Sequence, residues 1–261
     1  MTPNQDDGGG EYDDELVGLL ELVWGDGFLA PGGRDSVGRT VGSVNLQGTE
    51  VLDFGCGIGG ADLVLAGEHG ATVTGIDLEP SLLRRAEDRA AAAGLDISYR
   101  LGQVRGLPFA DERFDHVFTH AAIIHIPDKP ALFTEILRTL KPGGWLLGYD
   151  WLRGTDAYTP EMHYWFELEG LQYAMDHLDN YLSMLEQAGF SAVSGTDDNE
   201  RYRAVAHEEH ARMQDEWFGR MTDLLGEERR DHFIENWRVL TIVLDQGQLR
   251  PAYFRAQKPI S

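Results

Sequence analysis

Three glycines alternate in the run Val51-Leu-Asp-Phe-Gly-Cys-Gly-Ile-Gly-Gly60, directly after a stretch that reads as a short buried strand. Gly55, Gly57 and Gly59 let a backbone turn approach a ligand where a Cβ would stand in the way. One carboxylate, Asp53, leads into the turn. A second, Asp77, ends the next apolar run, Thr72-Val-Thr-Gly-Ile-Asp77. An acidic side chain at that place can accept hydrogen bonds from both hydroxyls of a ribose. Glycine turns alone are common structural devices; the turn and the strand-end carboxylate together point to a nucleoside-bearing ligand. Cys56 lies inside the turn, but no base is placed beside it by sequence, and it reads as a small buried residue. His207 and His210 fall on one face of a polar helix without a third ligand at metal spacing. No metal is expected there; a solvated face is the better reading.

The elements that must hold these residues alternate. Strands are expected at 51–54, 72–77, 97–101, 114–119 and 145–150, with helices at 61–69, 80–93 and 129–140 between them. Such alternation implies an α/β fold with a parallel sheet and crossover helices. Ahead of it, Leu16, Leu19, Leu20 and Val23 recur at helical spacing, a turn-rich loop runs from Trp24 to Gly33, and 34–44 can be a helix. Beyond it, 153–173 breaks into aromatic, turn-like sequence, 178–188 is amphipathic, and 201–225 and 227–246 read as long helices. Residues 251–258 can return as a terminal strand. The expected organisation is an N-terminal helical latch (1–45), a cofactor-binding core (46–152), and lid helices with C-terminal strands completing the sheet (153–261).

Four blocks in order then resemble the class I S-adenosylmethionine-dependent methyltransferases. They are Asp53–Gly59, Gly75-Ile-Asp77, Leu107–Asp115 and Leu140-Lys-Pro-Gly-Gly144. The resemblance implies a doubly wound, Rossmann-like, mostly parallel seven-stranded sheet with S-adenosylmethionine as cofactor and S-adenosylhomocysteine as product. It implies cofactor contacts at Leu29, Ala30, Asp53, Gly55, Cys56, Gly57, Asp77, Leu78, Val104 and His120. Similar sequences carry an Asp after the third strand to meet the adenine amine; here Gln103 stands there, and its amide oxygen can accept the same bond.

Outside the core, Tyr12, the run Trp24–Gly33, His125 and Tyr253-Phe254 resemble the phosphoethanolamine and sarcosine/dimethylglycine N-methyltransferases. In that group a Tyr on a closing N-terminal helix pairs with a His beyond the fourth strand, and together they help deprotonate the substrate amine. Tyr12 and His125 fall at the matching places and are the expected catalytic pair. A His titrates near neutrality and suits general-base work, while a Tyr hydroxyl can orient it or cover the site. Packing alone would explain Tyr12, and a backbone hydrogen bond at a helix entry would explain His125. His120 could meet the methionine end of the cofactor or act as a second base.

The departures narrow the substrate. The Asp expected four residues before the His is Ala121, the position expected to hold a phosphate-binding Arg is Leu171, and 239–249 contains no cation. A buried phosphate without cationic or amide donors is costly. Aromatic residues crowd the region instead, so Trp24, Trp151 and Tyr173 join Ala121 as expected substrate contacts. The leading expectation is N-methylation of a small amine; O- or C-methylation of an aromatic or isoprenoid metabolite, or a binding module without turnover, are the alternatives.

Composition sets the partners. Across 261 residues, 22 basic against 44 acidic side chains give a net charge of −22, with Lys only at 129, 141 and 258. Nucleic acid and anionic membranes should be repelled. The single Cys56 and the lack of a signal or spanning segment agree with a cytoplasmic protein. The long C-terminal helices leave a lid and a homodimer contact both open.

Overall fold

The computed structural model describes residues 12–103 and 106–260. Its frame is a seven-stranded sheet with β1 (Glu50–Phe54), β2 (Thr72–Asp77), β3 (Ser98–Leu101), β4 (Phe114–His120), β5 (Leu140–Arg153), β6 (Ser191–Asp197) and β7 (Leu249–Gln257). The order is β3-β2-β1-β4-β5-β7-β6. The first five strands pair in parallel, and β7 lies antiparallel between β5 and β6. The chain reverses direction across the sheet next to β1, so the carboxyl ends of β1 and β4 open a crevice where ligands bind in such folds.

Strand periodicity divides the core. Val51 of β1 packs with Val64, Val73 and Phe118 on one face, where α2 (Gly33–Val41) and α3 (Gly60–Gly67) lie. Its neighbour Leu52 packs with Val117, Phe133, Leu146 and Tyr181 on the other, under α5 (Lys129–Thr139) and α7 (Leu178–Ala188). Between α3 and α5 in the chain, α4 (Pro80–Ala93) starts with a Pro in its first turn and stops at Gly94, whose φ is +67°.

A further core sits beyond the carboxyl ends of the strands. It unites α1 (Asp14–Trp24), α6 (Pro160–Glu169), α8 (Asn199–Gln214) and α9 (Phe218–Asp245) around Leu19, Trp151, Trp165, Tyr202 and Trp237. Helix α1 begins where Asp13 accepts the Leu16 N–H at 2.8 Å. Arg85 of α4 pairs with Asp14, Arg89 with Glu21 and Asp26, and Arg229 of α9 with Asp13 and Glu15. The N-terminal helix is thus held from both sides.

Three elements differ from expectation. The aromatic stretch after β5 contains a helix, α6, capped by the Thr159 side chain and burying Met162 and Trp165. Strand β6 forms an edge with most residues exposed, so it carries no apolar alternation to read. The helical pair after β6 breaks first at 215–217 rather than only at Gly226, where α9 kinks with φ +75° and ψ 169°. No helix among the described residues is long and apolar enough to cross a membrane.

Candidate active site

The glycine turn follows β1 directly. Gly55 has φ +77°, and a Cβ there would come within 2.3 Å of the Ala122 Cβ, so only glycine fits. The turn is tied to β2: Asp77 Oδ2 accepts the Gly57 N–H at 2.9 Å and Oδ1 accepts the Glu79 N–H at 3.0 Å. Each oxygen keeps a lone pair for a ligand. Asp53 is buried on the floor, and its Oδ1 has no hydrogen-bond partner. Burial raises its carboxyl to about 7, with the nearby Asp77 charge adding and Asp62 opposing. Asp62 itself is pushed well up by burial and by Asp53. Burial likewise raises the Cys56 thiol, which stays protonated and inert.

These groups line a cavity of about 470 Å³. Leu29, Ala30, Asp53, Gly55, Cys56, Gly57, Asp77, Leu78 and His120 are all on its wall, together with Phe28, Ile76 and Glu79. Gln103 is exposed and is not on that wall; its neighbour Gly102 is. Val104 lies outside the described residues. His120 is buried, stacks on Tyr149 at 4.9 Å and shares a 2.7 Å hydrogen bond between its Nε2 and Ser36 Oγ. Burial, reinforced by Arg201, drives its imidazole down to about 3. The neutral ring is thereby favoured.

A second cavity, about 320 Å³, is lined by residues of α1, α6 and α9. Trp24, Trp151 and Tyr173 line it, and so do Glu169, Leu171, Arg229, Phe233, Asn236 and Trp237. Four residues are on the walls of both cavities: Tyr12, Leu29, Ala121 and His125. Ala121 directly follows β4 and lies in the left-handed region, φ +55°, with its N–H donating to Tyr149 O at 2.8 Å. Backbone strain of this kind gathers at sites the surrounding structure over-determines. His125 follows in a short 3₁₀ turn, its ring centroid 5.3 Å from that of Tyr173.

Sequence reading missed the contribution of α9 and of Glu169. Trp24 donates its indole N–H to Glu209 Oε1 at 3.1 Å, and Trp237 donates to Oε2 at 3.0 Å. One buried carboxylate of α8 therefore fixes two aromatic walls of the second cavity, on α1 and α9. Burial raises Glu209 to about 7, against the pull of the two indoles. The only available signal was the indoles themselves, since buried Trp N–H groups need acceptors. His207 of the same helix meets Asp245 at 3.0 Å on the surface. Among the described residues no three His, Cys, Asp or Glu side chains converge as a metal site.

The sheet order and the glycine turn at its crevice are those of a class I methyltransferase domain. Residues 52–148 match the family model described as "Methyltransferase domain". Residues 52–148 are thus a methyltransferase domain. It is 30% identical over 250 residues to phosphoethanolamine N-methyltransferase 1 of Zea mays, covering 94% of this chain and 49% of the maize protein. The structure resembles that of phosphoethanolamine N-methyltransferase 2 of Haemonchus contortus in complex with phosphomonomethylethanolamine and S-adenosylhomocysteine. That match has a TM-score of 0.87 and 25% identity, over 95% of this chain and 59% of that one. The cyclopropane synthase MmaA2 of Mycobacterium tuberculosis shares the fold at a TM-score of 0.79 and 16% identity, over 94% of both chains. The chain spans about half the length of the curated phosphoethanolamine enzymes it matches.

Proposed function

We propose that this chain is an S-adenosylmethionine-dependent methyltransferase that N-methylates a small amine. The observation that carries the reading is the pair of cavities meeting at Tyr12, Leu29, Ala121 and His125. One cavity suits a nucleoside with an ammonium group: the bare Gly55 backbone admits it, Asp77 can accept ribose hydroxyls, and the orphaned Asp53 Oδ1 awaits a donor. The other suits a small acceptor. When bound, the cofactor supplies a methyl group on a sulfonium, displaced in line with the electron pair leaving on sulfur.

The chain's own residues do the rest. An ammonium must shed its proton before its lone pair can attack, and the His125 imidazole is placed at the junction to receive it. Tyr12, just ahead of α1, closes the same junction. The arginine ties of α1 support its role as a latch, and the packing of α6, α8 and α9 over the crevice supports theirs as a lid. The relatives and this proton-accepting pair favour an amine over O- or C-methylation, and turnover over mere binding. The test is transfer of labelled methyl to an amine library by the wild type and by His125→Ala. The variant should lose about 10²–10⁴-fold in kcat while holding S-adenosylhomocysteine with near-normal affinity. Full turnover in the variant would remove His125 from the chemistry.

A further inference from the structure

We propose that the second cavity is a subsite for a cationic group at the far end of the methyl acceptor, with Glu169 as its anionic anchor. The acceptor class is then a diamine, or an amine bearing an amidine or guanidine, rather than a phosphorylated amine. This rests on the methyltransferase reading above and specifies its substrate.

Glu169 is the last residue of α6, where the helix presents its unpaired carbonyls and a negative charge is disfavoured. Its Oε2 accepts the Tyr173 hydroxyl at 2.8 Å, and its Oε1 accepts the Asn236 amide at 2.8 Å. Those two neutral donors orient the carboxylate, leave each oxygen a free lone pair, and bring no positive charge to it. Burial pushes its carboxyl up, with Tyr173, Asn236 and the His232 ring only partly opposing. The charge is therefore costly as it stands, and a cation delivered by a ligand would relieve that cost.

The rest of the wall agrees. Arg229 lines the cavity, but its guanidinium is engaged by Asp13 and Glu15 of the α1 start. His232 donates Nε2–H to the Leu168 carbonyl at 3.0 Å. Neither is left to neutralise a phosphate, and a phosphate would face the Glu169 charge. The indoles of Trp24, Trp151 and Trp237 on the cavity wall suit a cation with an aliphatic stem. Distance fits as well: the Tyr173 ring sits against His125 at one end and its hydroxyl reaches Glu169 at the other. A molecule spanning one tyrosine side chain can place its reacting nitrogen at His125 and its cation at Glu169.

The experiment is calorimetry on the full chain saturated with S-adenosylhomocysteine. The probes are α,ω-diamines from 1,3-diaminopropane to 1,6-diaminohexane, the monoamines of equal length, and phosphoethanolamine. At least one diamine should bind tenfold or more tighter than its monoamine and than phosphoethanolamine. In Glu169→Gln, which keeps the size and one carbonyl acceptor, that preference should vanish with S-adenosylhomocysteine affinity unchanged. A preference that survives in Glu169→Gln, or wild-type protein that binds phosphoethanolamine better than every diamine, overturns the subsite. So does methyl transfer to monoamines with no diamine preference, which leaves the methyltransferase reading standing. Glu169-dependent diamine binding without methyl transfer to any amine does the reverse.

Discussion

Asp77 spends one lone pair of each oxygen on the turn it braces, at Gly57 and Glu79, and turns the remainder toward the first cavity. Hydrogen bonds to a charged acceptor are worth about 1.5–3 kcal/mol each. Loss of two in Asp77→Ala should weaken S-adenosylhomocysteine binding by about 10²–10⁴-fold. Calorimetric titration of both proteins checks this; affinities within threefold would show that the carboxylate serves the turn alone. Asp77 was readable from sequence because turn and strand end are set by contiguous residues. Gln103 was expected beside it by analogy of position; it is exposed and absent from the cavity wall, since nothing local draws a residue after β3 inward. Glu169 and Trp237 were not readable at all. Their meeting depends on how α6 and α9 pack, a relation between residues far apart in the chain.

At the scale of elements, the same contrast holds. Strands β1, β2 and β4 are buried on both faces and announce themselves as apolar runs. Strand β6 is an exposed edge, held by its pairing with β7, and so leaves no pattern. Helix α6 hides because aromatic residues ring it rather than forming one stripe: Trp165 is buried while Tyr164 is exposed. The Gly226 kink falls at the gap expected between two helices, 201–225 and 227–246, and it matters for the site. Its φ of +75° with ψ of 169° is a region open essentially to glycine alone, and no atom lies within 4 Å of a built Cβ. Gly226→Ala should therefore cost about 1–3 kcal/mol through backbone strain only. The helical piece after the kink carries Arg229, Phe233, Asn236 and Trp237 into the second cavity. The variant should accordingly raise the KM for the acceptor more than that for the cofactor. Thermal melts with steady-state kinetics test both parts; an unchanged melt would mean that the kink relaxes into a straight helix.

Across the whole molecule, the excess of acid does more than repel polyanions, because several carboxyls are buried. Asp53, Asp150 and Glu209 are each at most 6% exposed, and burial raises each to about 7. For Asp150 the Trp151 N–H, Lys129 and the Tyr181 hydroxyl oppose that rise without cancelling it. A carboxyl raised on folding binds more protons in the native chain than in the unfolded one, so stability falls as pH climbs toward and past its folded value. The carboxyls lowered by arginines, such as Asp26 by Arg89 and Glu135 by Arg138, stabilise the fold above the ordinary carboxylate range and lose that effect only in acid. Buried His120, lowered to about 3, also acts below neutrality, where the unfolded chain takes up its proton. Between pH 6.5 and 8.5 the raised carboxyls dominate, each worth about 0.8 kcal/mol over that span. The melting temperature of the ligand-free protein should drop by about 5–10 °C across the interval. Asp150→Asn can keep the Trp151 N–H on its carbonyl and turn its amide to the Tyr181 oxygen, so it should melt higher than wild type at pH 8.5. At pH 6.5 the two should lie close together. A flat wild-type profile, or equal behaviour of the variant at both pH values, would mean that these carboxyls meet water or a cation on the time scale of titration.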